Sequence, residues 1–320
     1  MLGLTIPLDG YTLAAHREAL RELVDLGFTD VWAGEADGLD AVVPLAAAAA
    51  WEPSLRIGTG IVPSFTRGPA VLAMTAAALT ELAPGHVSLG IGASSPVVVG
   101  NWNGIAHDQP FDRTRDVLRF LRRALRGERI SEQFATFEIS GFRLGRPPAI
   151  APELLLAALR PRMLRLAATE ADGAITTWVG PDHVERIAAE LADAAPARVS
   201  PRLVAWVSVC PDADADAVRA RARPTIAAYL NVPAYEDFHR WLGNEALLEP
   251  VWEAWKRGDR RGAVAAVSEE LVDQLIVHGP AEHCREVIDR YRAAGVTDIA
   301  LSVQAGAEDP MHALRALAPR

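Results

Sequence analysis

Apolar positions along the chain switch repeatedly between two spacings. Short apolar runs, with the length and composition of buried strands, are followed by longer stretches with apolar residues three and four apart, as on an amphipathic helix. Leu2–Ile6 reads as strand one. Thr12–Leu26 reads as the helix after it, with Leu13, Leu20, Leu23 and Val24 on one face and Arg17, Arg21 and Asp25 elsewhere. Gly27 stands where helices commonly end in a left-handed residue. Asp30–Ala33, Arg56–Val62 and Val87–Ile91 read as strands two to four, separated by helices Asp40–Trp51 and Pro69–Leu82. Glu153–Ala157, Gly173–Thr177 and Leu203–Val209 continue as strands five to seven. Helix Ala281–Ala294 places Cys284, Val287, Ile288 and Tyr291 on one face, ends at Gly295 and leads into strand eight at Thr297–Val303.

Eight such units predict one α/β domain over residues 1–320, a closed (β/α)8 TIM barrel, with an open doubly wound sheet as the alternative. An echo links the two ends: Gly27-Phe-Thr-Asp-Val31 and Gly295-Val-Thr-Asp-Ile299 share one helix-to-strand joint. Two excursions break the rhythm. Gln133–Leu144 alternates Phe134, Phe137, Ile139 and Phe142 around Ser140-Gly141, which predicts an inserted β-hairpin before strand five. Asp212–Asp273 carries Trp241, Trp252 and Trp255 without a strand pattern, and predicts a helical insertion after strand seven. Insertions at strand ends commonly build a ligand mouth or a subunit contact.

Composition narrows the partners. The 320 residues are half hydrophobic and carry a net charge of −9, with 41 acidic against 32 basic residues. Lys256 is the only lysine, and no basic run offers a nucleic-acid surface. Cys210 and Cys284 form no CxxC, which speaks against a disulfide framework or a cysteine metal site. The longest apolar run, Ala41–Trp51, is too short to span a bilayer, and the N-terminus lacks a basic leader. The expectation is a cytoplasmic protein that acts on a small molecule, with no nucleic-acid or membrane partner, no metal, and a homo-oligomeric assembly.

Ligands of such barrels bind where the strands end. After strand two, Glu35 projects toward the mouth, with a helix-capping or solvated carboxylate as the competing reading. After strand three, Gly60 permits close backbone approach, or simply a tight turn; Pro63 and Pro69 bound the segment. After strand four, Gly90-Ile-Gly-Ala-Ser-Ser95 lacks the third glycine of a dinucleotide fingerprint. After strand five, Leu159-Arg-Pro-Arg162 opens a helix whose free N–H groups suit an anion, with Arg160 and Arg162 adding charge. No P-loop, HExxH or GxSxG is present, and the eight histidines form no pair at ligand spacing. Redox chemistry borrowed from a bound cofactor fits these residues better than metal or serine hydrolysis.

Together these segments resemble the luciferase-like monooxygenase superfamily, within it the coenzyme F420-dependent oxidoreductases. The stretch GTGIVPSFTRGPAVLAMTAAALTELAPGHVSLGIGASSPVVVGNWNG carries the likeness; AALRPRMLRLAATEADGAITTW and AEHCREVIDRYRAAGVTDIALSV support it. The resemblance implies a deazaflavin across the mouth. Its ring would be backed by Gly60, Ile61 and Val62, with a non-prolyl cis peptide in that segment. Gly92, Ala93, Ser94 and Ser95 would line the ring, Leu159, Arg160, Pro161 and Arg162 would hold the phosphate, and Thr176, Thr177 and Trp178 would wall the tail. Trp32, Trp102 and Asn103 would line the substrate side, and Arg67 would add charge for the anionic tail. Many members carry an Asp-His pair after strand two; this chain reads Glu35-Ala36, keeping a carboxylate and losing the imidazole. The implied activity is hydride transfer between coenzyme F420 and a small organic substrate, with Glu35 as the one catalytic candidate. An FMN-dependent monooxygenase and a non-catalytic flavin-binding barrel are the alternatives.

Overall fold

A computed structural model describes residues 1–197, 200–212, 214–304 and 309–319. Eight parallel strands close into a barrel: β1 (Leu2–Thr5), β2 (Asp30–Ala33), β3 (Arg56–Thr59), β4 (Val87–Gly92), β5 (Glu153–Ala157), β6 (Gly173–Thr177), β7 (Arg202–Cys210) and β8 (Asp298–Val303). Closure comes from β8 beside β1, with Leu2 opposite Ile299 and Leu4 opposite Leu301. The sheet is therefore a barrel and not the open doubly wound alternative. The predicted strands and helices are present with ends shifted by a few residues.

Strand alternation sorts the side chains into two cores. Outward residues such as Val31, Ile57, Leu89, Leu154 and Leu156 meet the helices in one continuous cluster. Burying each large aliphatic side chain there contributes about 1.5–3 kcal/mol. Inward residues fill the barrel in layers. The middle layer holds Trp32, Leu155, Ile175, Val204 and Ala300. Gly58 makes room for Trp32: a Cβ there would fall 2.4 Å from the indole.

Below it, the floor at the strand starts is charged. Arg202 pairs with Asp298 at 2.8 Å and also with Glu153. Arg56 reaches Asp30 at 3.4 Å and Glu153 at 3.2 Å, and Ser88 donates to Glu153 at 3.0 Å. The echoed joint is built identically at both sites. Gly27 and Gly295 have φ of 93° and 101°, which only glycine adopts readily. Thr29 then donates to Asp30 at 2.5 Å, and Thr297 to Asp298 at 2.6 Å.

Two expectations need correction. Strand three stops at Thr59 and resumes as Val62–Pro63, which pairs with β4, because the chain turns at a cis Gly60–Ile61 peptide. The hairpin consists of Ile130–Gln133 and Glu138–Phe142, so its turn is Phe134–Phe137 and not Ser140-Gly141. Tertiary contacts set that turn: Phe134 stacks on Phe137 at 4.7 Å, and Asp116 accepts from both the N–H and the hydroxyl of Thr136 at 3.0 Å. The insertion after β7 forms five helices between Ala215 and Leu275, then a short strand, Ile276–His278, that pairs with the end of β7. No described helix is long and apolar enough to cross a membrane.

Candidate functional site

At the strand ends the inward positions turn small. Gly34, Gly60 and Gly92 follow or end β2, β3 and β4 side by side. Trp206 of β7 reaches across to the first two: a Cβ on Gly60 would lie 2.4 Å from its indole, and one on Gly34 3.0 Å away. Ile61 and Trp206 pack on the middle layer from above and cap it. The Trp206 indole N–H is buried without a hydrogen-bond partner. Sequence reasoning missed Trp206, although counting by twos from Arg202 places it inward at the mouth.

Glu35 stands at this mouth. Its N–H donates to the Ile61 carbonyl at 3.0 Å, tying the end of β2 to the cis segment. Its carboxylate accepts from Arg67 Nε at 3.0 Å and Nη2 at 2.5 Å, and Arg67 also reaches Asp40 at 3.4 Å. Its hydrogen bonds to Glu35 raise the Arg67 pKa further, so the guanidinium stays charged. Arg67 is thus engaged with two carboxylates and does not serve as the free charge expected for an anionic tail. Carboxylates of the neighbouring βα unit attract it first.

The β4 loop is held by His107, whose Nε2 lies 3.0 Å from the Ala93 carbonyl and whose ring sits 4.8 Å from Phe65. Ser94 has φ of 60°. Ser95 accepts from the Val98 N–H at 3.2 Å, starting a wide helical turn at Val97–Trp102. Asn103 ties that turn to itself, donating to the Val98 carbonyl at 2.7 Å. Trp102 is 55% exposed on the outer rim. Trp32 is a clearer correction: it is 1% exposed inside the barrel, below the mouth, because strand period puts it in the middle layer.

Helix Pro161–Glu170 begins beside the mouth without a side-chain cap; Met163 and Leu164 already donate to the Arg160 carbonyl at 3.0 Å, which leaves the Arg162 N–H as the open donor of the first turn. Its two arginines are engaged elsewhere. Arg160 pairs with Asp237 of the insertion at 2.6 Å, both about half exposed, and the Arg162 guanidinium lies 3.7 Å from the centre of the Phe111 ring. Leu159 is half-buried against the helix-side core. At the end of β6, Thr177 faces the mouth beside Trp206, whereas Thr176 is buried on the helix side with an unpartnered hydroxyl. Thr176 therefore does not wall a tail in the mouth.

The insertion completes the wall. Trp178 has φ of 54°, and its ring packs against Tyr229 at 5.1 Å. Behind it, Gln274 Nε2 donates to His183 Nδ1 at 2.7 Å, and Asn244 contacts buried His239 at 3.2 Å. Burial, then the neighbouring His183, pushes the His239 pKa down to about 4, so the ring is neutral.

With this geometry in place, comparisons with known proteins are informative. The profile of the luciferase-like monooxygenase family matches residues 4–298. A Mycobacterium tuberculosis protein named as a coenzyme F420-dependent oxidoreductase is 27% identical, over 94% of both chains. The 5,10-methylenetetrahydromethanopterin reductase of Archaeoglobus fulgidus is 28% identical over 77% of this chain and 76% of its own. Among solved structures, the coenzyme F420-dependent tetrahydromethanopterin reductase of Methanopyrus kandleri superposes with a TM-score of 0.78 at 18% identity, covering 99% of this chain and 96% of its own. An F420-dependent secondary alcohol dehydrogenase with an F420–acetone adduct superposes at 0.76 and 17%, covering 99% and 98%.

Proposed function

The chain belongs to the luciferase-like monooxygenase family, and from that premise we propose that it is a coenzyme F420-dependent oxidoreductase transferring a hydride between the deazaflavin and a small organic substrate. The observation that carries the reading is the character of the mouth. A glycine-lined strip, capped from below by Trp206, lies next to an uncapped helix start, while the one acidic candidate is neutralised by Arg67. Such a site suits a flat ring with a phosphate and has little acid–base machinery of its own. Relatives named for coenzyme F420 support the same reading.

Gly60, Ile61 and Val62 would back the ring, Gly92, Ala93, Ser94 and Ser95 would line it, and Leu159 to Arg162 would receive the phosphate. When bound, the deazaflavin supplies the hydride or accepts it. Glu35 acts as a positioning residue: its backbone holds the cis segment and its carboxylate fixes Arg67. Trp206 seals the barrel beneath and excludes water from that side. The test is a titration with coenzyme F420 and FMN at one salt concentration. Coenzyme F420 binds more tightly; tight FMN binding with negligible F420 binding overturns the reading in favour of the monooxygenase.

A homo-oligomer is supported by helices Val42–Trp51 and Pro69–Leu82, which carry one charged residue, Glu81, between them. Val43, Val71, Met74 and Leu82 are 45–54% exposed on these neighbouring helices. Two copies pack through this face, since a solvated helix surface is ordinarily polar. Val43→Glu with Met74→Glu yields monomers in sedimentation; an unchanged mass overturns this. The two buried, unpaired cysteines accord with a cytoplasmic location.

A further inference from the structure

Seven arginines stand on the insertion after β7, and they fall into two groups. Arg219, Arg221, Arg240 and Arg257 each pair with a carboxylate, on Asp273, Asp212, Glu236 and Glu253. Arg223, Arg260 and Arg261 have no carboxylate partner among the described residues, and together with Val264 and Ala265 they line one groove of about 630 Å³. Two of the three are held from behind by backbone carbonyls. Arg223 Nε donates to the Val267 carbonyl at 3.0 Å, which ties helix Ala215–Leu230 to the end of helix Arg260–Ala266. Arg260 Nη1 donates to the Trp255 carbonyl at 2.7 Å, and its guanidinium lies 3.8 Å from the centre of the Trp255 ring. The nearest acid in sequence, Asp259, is committed to the helix start. Its Oδ1 accepts from the Gly262 N–H at 2.7 Å, and a Cβ on Gly262 would fall 2.0 Å from Oδ2. Three positive charges therefore share a groove without a counter-charge of their own.

We propose that this groove is a binding site for a small anion carrying two or more phosphate groups. Guanidinium N–H groups match phosphate oxygens in pairs, and two such forks saturate one phosphate. A third arginine calls for a second anionic group. The carbonyl contacts occupy one donor each on Arg223 and Arg260 and fix their planes, so the remaining N–H groups meet a ligand with less ordering to do. The volume is that of a small-molecule site, and Val264 and Ala265 offer an apolar side to the organic part of the ligand. A nucleic-acid backbone is a poorer fit: it needs a long track of cations, and the net charge of −9 repels it. None of the lining residues belongs to the strand-end segments at the mouth, so the site stands whether or not coenzyme F420 binds there. It still bears on the mouth. Helix Ala215–Leu230 also carries Tyr229, which packs on Trp178 at 5.1 Å, so an anion joining Arg223 to Arg260 and Arg261 braces an element of the rim.

The test titrates the full-length protein with inorganic pyrophosphate and with orthophosphate by calorimetry, and places the bound ion by hydrogen exchange. Pyrophosphate binds at least about tenfold more tightly than orthophosphate, and its affinity falls with added salt. Arg223→Gln and Arg261→Gln each weaken it about tenfold, whereas Arg162→Ala, at the mouth, leaves it unchanged. Arg261 has no hydrogen bond or ion pair among the described residues, so its variant reads binding without a change in packing. Backbone amides of helices Ala215–Leu230 and Arg260–Ala266 exchange more slowly once pyrophosphate is bound. Equal affinity for the two anions, binding that survives both groove variants, or binding lost in Arg162→Ala overturns the site. Oligothymidylate binding more tightly than pyrophosphate overturns the assignment to a small anion.

Discussion

The floor and the mouth of this barrel are built from opposite materials. At the floor, Arg56, Ser88, Glu153, Arg202, Asp30 and Asp298 pair with one another. At the mouth, the inward positions are glycines, one indole N–H has no partner, and a helix starts uncapped. A charge network buried with its partners holds strands in register. An unpaired donor at an open mouth is a place that a ligand can complete. The difference separates residues that maintain the barrel from residues that use it.

The largest expected effect breaks the floor. Arg202→Ala leaves buried Asp298 without its closest cation and Glu153 with Arg56 alone, and costs about 3–5 kcal/mol of stability in urea unfolding. Cofactor affinity per folded molecule is unchanged; a parallel loss of affinity would erase the division.

Next comes acid, which attacks the two regions at different pH. His239 has a pKa depressed to about 4 against about 6.5 when unfolded. Its contribution is present above the unfolded value and lost as pH falls toward 4, about 3 kcal/mol in all. At the floor, burial alone would raise the Asp298 carboxyl, but hydrogen bonding and charge from Arg202, with Thr297, carry it below its ordinary value. That contribution is lost only at lower pH, below the usual carboxylate range. Asp30 runs the other way: burial raises it despite the Thr29 hydrogen bond, so its ionised form opposes folding as pH rises. His239→Gln therefore flattens the stability profile between about pH 6.5 and 4 and leaves the more acidic limb intact.

The phosphate seat gives a smaller effect. Arg160→Ala and Arg162→Ala weaken coenzyme F420 binding unequally, the stronger loss reaching about 1.5–3 kcal/mol. Asp237→Ala releases Arg160 and tightens binding only slightly, because an exposed ion pair competes only weakly. Unaltered affinity in all three variants would move the phosphate elsewhere. The smallest change is Glu35→Gln, which weakens the grip on Arg67 and alters cofactor affinity by about 1 kcal/mol. A total loss of affinity would make Glu35 a direct ligand.

Periodicity made the barrel legible, because inward and outward residues of a strand differ in kind and helices follow at a fixed rhythm. The helix start at Pro161 is legible from its own residues, whereas the cis peptide is legible only through the family resemblance. What escaped depends on distant partners. Nothing around Arg67 reveals that Glu35, 32 residues earlier, already holds it. Ser140-Gly141 has the composition of a turn, yet Asp116 and the Phe134–Phe137 stack set the turn elsewhere. Trp32 and Trp206 are alike in composition and both face inward; only their height along the strands makes one core and the other mouth.

The insertion touches the barrel at neighbouring strand ends. Asp237 holds the start of the helix after β5, and Tyr229 leans on Trp178 after β6. These contacts belong to consecutive helices, Ala215–Leu230 and Pro233–Leu242. The rim should therefore open as one cooperative unit, with backbone amides in both helices exchanging hydrogen at a common rate. A molecule bound anywhere in the mouth would slow that exchange throughout the segment, so its kinetics would count occupancy without naming the occupant.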